Sequence, residues 1–245
     1  FTLMGVLGYV LGREQILRGQ RRGVVTAVAS VTLCGLLAVL TKEIGILLPV
    51  YVLLVELFFY RMSAPENVRR AFTWTFYAII VAPLALGLSV ALVKSGSLLA
   101  LDAYETRTFT LTERLLTESR VTWFYLKLIV MPTISELGTY HDDIPLSTSL
   151  LNPLTTLFSV IGIAGLLGVC VASYRRAPIL AFGIAWFLLG HSLESTVVPL
   201  EIAHEHRNYL PQAGILFSAF YYATHAAKAH LGTQAIRYIA VFCYA

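Results

Sequence analysis

The feature that most constrains this chain is a series of apolar segments separated by short polar stretches. They fall at roughly 1–12, 23–41, 44–60, 71–94, 153–173, 178–195, 209–227 and 234–245. Most approach the roughly 20 residues that an α-helix needs to cross the hydrocarbon core of a bilayer. Backbone polar groups inside a bilayer must find partners within the chain, so these segments are predicted to be helices. The sequence therefore predicts an all-α, polytopic transmembrane helical bundle of about eight membrane helices.

The scarcity of charge supports the same class of protein. Only 13% of the residues are charged and 57% are hydrophobic, whereas about a quarter of a soluble domain is charged. The net charge of +4 comes from basic residues beside the apolar segments, which indicates membrane topology and not nucleic-acid binding. No repeat or linker divides the chain, so we predict a single transmembrane domain over residues 1–245. Phe1 and Ala245 both lie inside apolar segments, and we expect the domain to be truncated at both ends.

Lysine and arginine residues set the expected orientation, because cytoplasmic loops carry an excess of both. The basic residues cluster at 13–22, 61–70 and 174–177, which we place in the cytoplasm. The segments 95–152 and 196–208 then lie outside. The apolar stretch at 120–131, about 12 residues long, is too short to span a bilayer, so a short interfacial or re-entrant outer helix is predicted there.

The first of three polar clusters on the outer side interrupts the apolar region 23–60 with the sequence Thr-Lys-Glu-Ile-Gly at 41–45. Two helices must meet there in a turn, and Gly45 is predicted to permit the bend. Lys42 and Glu43 are then at the membrane edge. Lys42 either extends its charge into water or binds a phosphate of a lipid-linked substrate, and the sequence leaves both interpretations open.

The second cluster is Tyr140-His141-Asp142-Asp143, which lies between Gly138 and Pro145 and is predicted to be a loop. Two adjacent carboxylates and an imidazole can bind a divalent cation or act as general acid and base. A solvated loop with turn-forming aspartates is the alternative.

The third cluster runs from Glu201 to Tyr209. If it is helical, one face carries Glu201, His204, Glu205 and Asn208. If it is extended, His204 and His206 share a face instead. Either arrangement could bind a metal or a phosphosugar, and Arg207 suits phosphate because its guanidinium is a bidentate donor. A hydrated loop is the alternative.

Two further groups of ionisable residues fall within or beside apolar segments. His191 and Glu194 are spaced i, i+3 near the outer end of the sixth segment, where ionisable groups usually face the bundle interior. We expect them either to support the site or to be structural. Glu56 lies toward the cytoplasmic end of the third segment, and a structural role is predicted for it.

These motifs, taken in order along the chain, resemble those of a known family. Thr-Lys-Glu-Ile-Gly-Ile-Leu-Leu-Pro at 41–49 resembles the Ser-Lys-Glu-x-Gly motif of the transmembrane and tetratricopeptide-repeat O-mannosyltransferases and their bacterial relatives. The segment 115–132 resembles their outer-leaflet segment, and Glu-His-Arg-Asn-Tyr-Leu-Pro at 205–211 is similar to their Glu-(His)-Arg-x-Tyr-x-Pro motif. These proteins belong to the GT-C class of polytopic glycosyltransferases.

The resemblance implies a polyprenyl-phosphate-linked sugar as donor, a protein or glycan as acceptor, and chemistry at the outer face of a membrane. The polar loop at 140–143 favours the bacterial branch and hence the inner membrane. The resemblance also implies a principal catalytic carboxylate upstream of Phe1. No cofactor is assigned from the sequence, but the carboxylates and imidazoles of the clusters could bind a divalent cation.

Roles are assigned to the residues of the three clusters on this basis. Catalytic assistance is expected from Asp142, Asp143 and Glu205. Substrate binding is expected from Lys42, Glu43, Tyr140, His141, His204, His206, Arg207, Asn208 and Tyr209, with Lys42 and Arg207 on the phosphate. Three alternatives remain open at this point: a polymerase or ligase of lipid-linked glycans, a transporter, and a structural membrane subunit.

Overall fold

The computed structural model describes residues 1–83, 85, 104–105, 107–136, 138, 141, 144–195 and 201–244, with side chains as far as residue 228. Within these ranges the chain is all-helical and forms no strand, which confirms the predicted fold class at this level. The α-helices are α1 (Thr2–Leu17), α2 (Arg22–Thr41), α3 (Leu48–Val55), α4 (Glu66–Phe76), α5 (Leu111–Val130), α6 (Thr155–Ser173), α7 (Pro178–His191) and α8 (Gln212–Tyr244).

Shorter helical turns extend or connect these elements. A 3₁₀ turn (Glu43–Leu47) precedes α3 and a π turn (Glu56–Tyr60) follows it, so that 43–60 is continuously helical. A second π turn, Tyr77–Val81, extends α4. Two more 3₁₀ turns, Ile134–Glu136 and Glu205–Asn208, lie in the connections before α6 and α8.

Three helices among the described residues are long and apolar enough to cross a membrane, namely α2, the segment Glu43–Tyr60 and α6, while α7 is a shorter apolar helix. The side chains of α6 show what kind of surroundings these helices require. Its buried residues are the polar Thr156 and Ser159, whereas Phe158 is 64% and Val171 78% exposed. A helix with polar residues inside and apolar residues outside suits lipid and not water.

Helix α5 is longer than the segment predicted at 120–131. It begins at Leu111, because Thr110 and Glu113 form a capping box in which each side chain accepts a hydrogen bond from the other residue's backbone N–H. Such a box satisfies N–H groups that the first helical turn would leave unpaired. The buried residues of the added turns include Arg114 and Glu118, so the predicted short helix omitted the turns that carry these buried charges.

The C-terminal region also differs from its predicted form. Two segments were expected at 209–227 and 234–245, but the described chain there is one helix of 33 residues, α8. The polar residues between the two apolar segments do not include a proline, and a helix can continue through polar residues that remain solvated. Likewise α1 continues to Leu17, beyond the apolar segment at 1–12.

The turn at Lys42 depends on Gly45 for space. The backbone of Lys42 is extended (φ −160°, ψ 144°), which ends α2 and starts the 3₁₀ turn. A Cβ atom at Gly45 would lie 2.4 Å from the carbonyl carbon of Ala38. Gly45 thus permits the predicted turn, and it does so through the absence of a side chain, because its φ angle is not positive. Glycine is required because the turn packs directly against the backbone of α2.

The core that holds α1 to α4 and α7 together is apolar and aromatic. Its buried residues include Tyr9, Leu48, Tyr51, Phe72 and Trp186. A second, smaller cluster joins α5, α7 and the segment before α8 through Val121, Tyr125, Phe187 and Ala203. This second cluster places α5 beside the end of α7, where the charged residues collect.

A buried ion pair lies at the end of the bundle where α1 stops. Both side chains of Arg13 and Glu56 are fully buried, and Arg13 Nε and Nη2 donate to the two carboxylate oxygens at 2.8 Å each. The Tyr9 hydroxyl donates to the same carboxylate at 2.8 Å, and the guanidinium lies 4.2 Å from the ring centroid of Phe72. The carboxylate of Glu56 thus accepts hydrogen bonds from Arg13 and Tyr9 in a buried ion pair, which agrees with the structural role predicted for it.

We expect Arg13→Met to destabilise the protein by about 3–5 kcal/mol, because it leaves a buried carboxylate without its cation. The double variant Arg13→Met, Glu56→Met should recover much of that loss, since it removes the buried charge as well. Thermal unfolding of the purified protein in detergent measures both. Arg18→Met, an exposed position at the end of the same helix, is the control, and an equal loss in this control would contradict the assignment.

The orientation predicted from the basic residues can be tested at two exposed serines. In a protein without its native cysteines, Ser63→Cys and Ser149→Cys should react with an impermeant thiol reagent from opposite sides of the membrane. Ser63 is in a loop predicted to be cytoplasmic, and Ser149 is in the segment predicted to be outside. Reaction of both from one side would show that the orientation is wrong.

Candidate functional site

A buried carboxylate, that of Glu194, lies between two cations at the opposite end of the bundle from Arg13. Its Oε1 atom is 3.1 Å from Lys42 Nζ and its Oε2 atom is 3.7 Å from Arg207 Nε. Lys42 follows the end of α2, Glu194 follows the end of α7, and Arg207 lies in the 3₁₀ turn before α8. Because Glu194 is only 2% exposed, its charge requires nearby cations. One carboxylate thereby joins three separate segments.

Two arginines donate hydrogen bonds to the backbone carbonyl oxygens of Glu194 and Glu201. Arg114 Nη2 donates to the carbonyl oxygen of Glu194 at 2.6 Å, and its Nη1 donates to that of Glu201 at 3.4 Å. Arg207 Nη1 also donates to the carbonyl oxygen of Glu201, and its Nη2 is 3.5 Å from the Glu201 carboxylate. Arg107 approaches that carboxylate from the exposed side, also at 3.5 Å.

Glu118 is the second buried carboxylate of the site. It lies one turn beyond Arg114 on α5, with 2.9 Å between Arg114 Nη2 and its Oε1 atom. Burial raises the pKa of Glu118 to about 7, although the positive charges of Arg114 and Arg207 and a hydrogen bond from Ser195 act in the opposite direction. Near neutral pH the side chain is therefore divided between its neutral and charged forms. We call Lys42, Arg114, Glu118, Glu194, Glu201 and Arg207 the Glu194 site.

Tyr125 fixes α5 against the segment that carries Arg207. Its hydroxyl donates to the carbonyl oxygen of His204 at 2.9 Å and accepts from the backbone N–H of the same residue at 2.8 Å. Asn208 Nδ2 donates to the carbonyl oxygen of Tyr125 at 3.2 Å, and the ring of His191 stacks on the Tyr125 ring at 5.1 Å. Burial raises the pKa of Tyr125 to about 12, so the hydroxyl keeps its proton and remains a donor.

The end of α7 approaches its neighbours closely at Gly190. A Cβ atom there would lie 2.6 Å from Pro211 Cγ and 2.7 Å from Tyr51 Oη. Glycine therefore lets Pro211 of the 205–211 motif and Tyr51 of α3 pack against α7, four residues before Glu194.

The third predicted cluster adopts neither of the two conformations considered from the sequence. His204 is extended and Glu205–Asn208 form a 3₁₀ turn, so the segment changes conformation within the motif. Arg207 and Asn208 are buried, whereas Tyr209 is 74% exposed. The rings of His204 and His206 lie 4.1 Å apart. Burial and the nearby charge of Lys42 lower the pKa of His206, which favours a neutral imidazole at pH 7.

Glu205 connects this turn to the second predicted cluster. Its Oε1 atom accepts a hydrogen bond from the backbone N–H of Gly138 at 2.9 Å and lies 3.7 Å from His141 Nε2. The structure thus brings His141 to the segment that carries Arg207. Tyr140, Asp142 and Asp143 lie outside the described residues.

Glu43 is not drawn into the Glu194 site. Its side chain is exposed, and it has no ion pair or side-chain hydrogen bond within the described part of the chain. The reason is geometric: consecutive residues at a helix end point in different directions, and Lys42 takes the inward one.

Helix α5 contributes to the site, although none of its residues was predicted to belong to it. A signal was present, because Arg114, Glu118 and Tyr125 recur at intervals of four and seven residues and so share one helix face. Their burial shows that this polar face points inward. The face was overlooked because the helix was predicted to begin at 120.

Lys42, Arg107, Arg114 and Arg207 bring four cations to the described site, beside the carboxylates of Glu118, Glu194 and Glu201. Such a concentration of positive charge favours an anionic ligand. No group of three or more metal-ligating side chains occurs among the residues that the structure describes. The possible divalent cation therefore remains a prediction that depends on Asp142 and Asp143.

The comparisons with known proteins give no relative: no family model, no curated protein and no solved structure matches the chain. The chemistry of the Glu194 site therefore has to be argued from its own residues.

We expect the stability of the protein to fall as the pH rises from about 4.5 to about 7, the interval between the ordinary and the raised pKa of Glu118. Over this interval the folded state holds the Glu118 proton and the unfolded state releases it, so folding is favoured at the lower pH. The free energy of unfolding should fall by about 3 kcal/mol over this interval. Glu118→Gln keeps the neutral form and should flatten the dependence, which thermal unfolding between pH 5 and pH 8 measures.

The control for this experiment is Glu66→Gln, at an exposed position of α4. It should retain the wild-type pH dependence. A Glu118→Gln profile as steep as that of the wild-type protein would assign the dependence to another group.

Proposed function

We propose that this protein is a GT-C-like membrane glycosyltransferase, which moves a sugar from a polyprenyl-phosphate donor to a protein or glycan acceptor. The observation that carries the proposal is the position of Lys42 and Arg207 on either side of the buried Glu194. Two cations from distant parts of the sequence meet at a helix end, where a lipid phosphate lies in a bilayer. We place the reaction at the outer face of a bacterial inner membrane, as the basic residues and the family resemblance suggest.

The proposed reaction is a displacement at the anomeric carbon of the donor sugar. An acceptor hydroxyl forms the new C–O bond as the bond from the sugar to the lipid phosphate breaks, and a carboxylate takes the hydroxyl proton. Negative charge develops on the leaving phosphate, and preorganised cations stabilise it. Lys42 and Arg207 have this role, and Glu194 keeps both in position before the donor binds.

The remaining residues have supporting roles in this proposal. Glu205, through Gly138 and His141, holds the segment that carries Asp142 and Asp143 near the site, where these carboxylates assist. The resemblance implies that the principal base lies upstream of Phe1. His204, His206 and Tyr140 contact the donor sugar or its phosphate.

The location of the charges favours this function over transport. A transporter binds its substrate near the middle of the bilayer, at interrupted helices. Lys42, Glu194 and Arg207 instead lie just beyond the ends of α2 and α7 and before α8. In a structural subunit the same charges would serve only to join the ends of the helices, and no phosphate would bind to them. A polymerase or ligase of lipid-linked glycans would use the same cations, and the identity of the acceptor distinguishes it.

Arg207→Ala should reduce transfer from a labelled polyprenyl-phosphate sugar by the intact protein about 100-fold or more. The loss of a preorganised group that stabilises developing charge costs about 3–4 kcal/mol, and about 1.4 kcal/mol corresponds to a tenfold change in rate. Arg207→Lys keeps the charge but not the bidentate geometry, so a partial defect is expected.

The matched control is Lys127→Ala, which removes an exposed cation that pairs with Glu136 and lies outside the Glu194 site. It should transfer at nearly the wild-type rate, because exposed ion pairs contribute only about 0–1 kcal/mol. Membrane insertion is checked for every variant. Wild-type transfer by an inserted Arg207→Ala protein would remove Arg207 from the proposed phosphate site.

A further inference from the structure

A basic cavity lies at the other end of the bundle, far from the Glu194 site. It has a volume of about 600 Å³ and is lined by Leu57, Arg61, Met62, Tyr174 and Arg175. At this end of the bundle, Arg13 donates a hydrogen bond to the carbonyl oxygen of Ser63, one residue beyond the cavity-lining Met62. Lys42, in contrast, follows the opposite end of α2. The 20 residues of α2 correspond to about 30 Å, so the two basic regions lie at opposite membrane boundaries.

One wall of the cavity is a turn held rigidly by the buried Glu56. The backbone N–H of Arg61 donates to the carbonyl oxygen of Glu56 at 2.6 Å, and that of Met62 donates to its carboxylate at 3.1 Å. Arg61 and Met62 both have positive φ angles, 51° and 57°. Side-chain-bearing residues seldom adopt this conformation, and here the ion pair with Arg13 maintains it. These hydrogen bonds hold the backbone of Arg61 in place beside the cavity.

The other wall is the turn after α6, and it is attached to the same helical segment. The Tyr174 hydroxyl donates to the carbonyl oxygen of Leu57 at 3.0 Å, and its ring packs edge-on against Phe58 at 5.1 Å. Arg175 follows directly and lines the cavity. The two arginines therefore face one space from two helical hairpins that are fixed to each other.

Within the described residues, the two guanidinium groups lack an acidic partner. Neither Arg61 nor Arg175 forms an ion pair with any residue in the described ranges. The other lining residues, Leu57 and Met62, are apolar and 41% and 40% exposed. The cavity thus combines two cations that can bind phosphate with an apolar surface at the level where a lipid headgroup joins its acyl chains.

We propose that this cavity binds the phosphate of an anionic membrane phospholipid, with Arg61 and Arg175 on the headgroup and Leu57 and Met62 against the chains. Arginine binds phosphate oxygens in a bidentate manner, and basic pockets between transmembrane helices at the cytoplasmic side suit anionic headgroups. The site is independent of the glycosyltransferase function and would exist in a membrane protein of any activity.

The test compares lipid retention by variants of the intact protein. Wild-type protein purified in detergent with equal amounts of phosphatidylglycerol and phosphatidylcholine should retain phosphatidylglycerol selectively, as measured by native mass spectrometry. Arg61→Gln with Arg175→Gln should reduce this selectivity about tenfold, and Arg61→Lys should reduce it partly. The matched control is Arg21→Gln with Arg22→Gln. It removes the same charge near Gly19, whose carbonyl oxygen accepts a hydrogen bond from Asn67, at the same end of the bundle but outside the cavity.

Three outcomes would overturn the proposal. One is a wild-type protein with no preference for phosphatidylglycerol. Another is an equal loss of selectivity in the control, which would show general attraction to basic loops. The third is displacement of the lipid by millimolar inorganic phosphate, which would assign the cavity to a soluble anion. Arg175→Gln alone alters only an exposed turn, so it gives a folded variant in which reduced selectivity is still expected.

Discussion

The arrangement of this protein depends on a single buried carboxylate, that of Glu194. A carboxylate removed from water is unfavourable by several kcal/mol unless cations and hydrogen bonds compensate for it. Here the compensating groups come from the end of α2 and the turn before α8, while Arg114 of α5 binds the Glu194 backbone. The need to neutralise one charge therefore draws four elements to one place and fixes the positions of Lys42 and Arg207.

The apolar exterior of the long helices explains why charged clusters have this organising role. Between membrane helices the hydrophobic effect is weak, since lipid tails are as apolar as the side chains themselves, and close packing and polar contacts determine how helices associate. The helix α6 illustrates this, because it buries Thr156 and Ser159 and leaves its apolar residues outside. The two ends of the bundle are held by different charge groups, Arg13 with Glu56 at one end and the Glu194 site at the other.

The sequence predicted part of the site, and the particular residues show why. Lys42 and Arg207 could be selected because a cation beside an apolar segment must find a partner, and both lie at helix ends. Glu43 and Tyr209 were selected as members of the motifs, yet both are exposed, because membership of a motif does not decide which side chain faces inward. Arg114 and Glu118 were not selected, because the start of α5 was placed nine residues too late and their inward face was not considered.

What the sequence by itself determined is the all-helical fold, the helices long and apolar enough to cross a membrane, and the segments that carry charge. Hydrocarbon length and the need to satisfy backbone hydrogen bonds are local constraints, and they act on each segment separately. Only the tertiary structure decided that Glu194 pairs with both Lys42 and Arg207, that Glu118 is buried beside Arg114, and that Gly45 is needed for space. These ion pairs and close contacts depend on distances between residues far apart in the chain. Such distances follow from how the helices pack together.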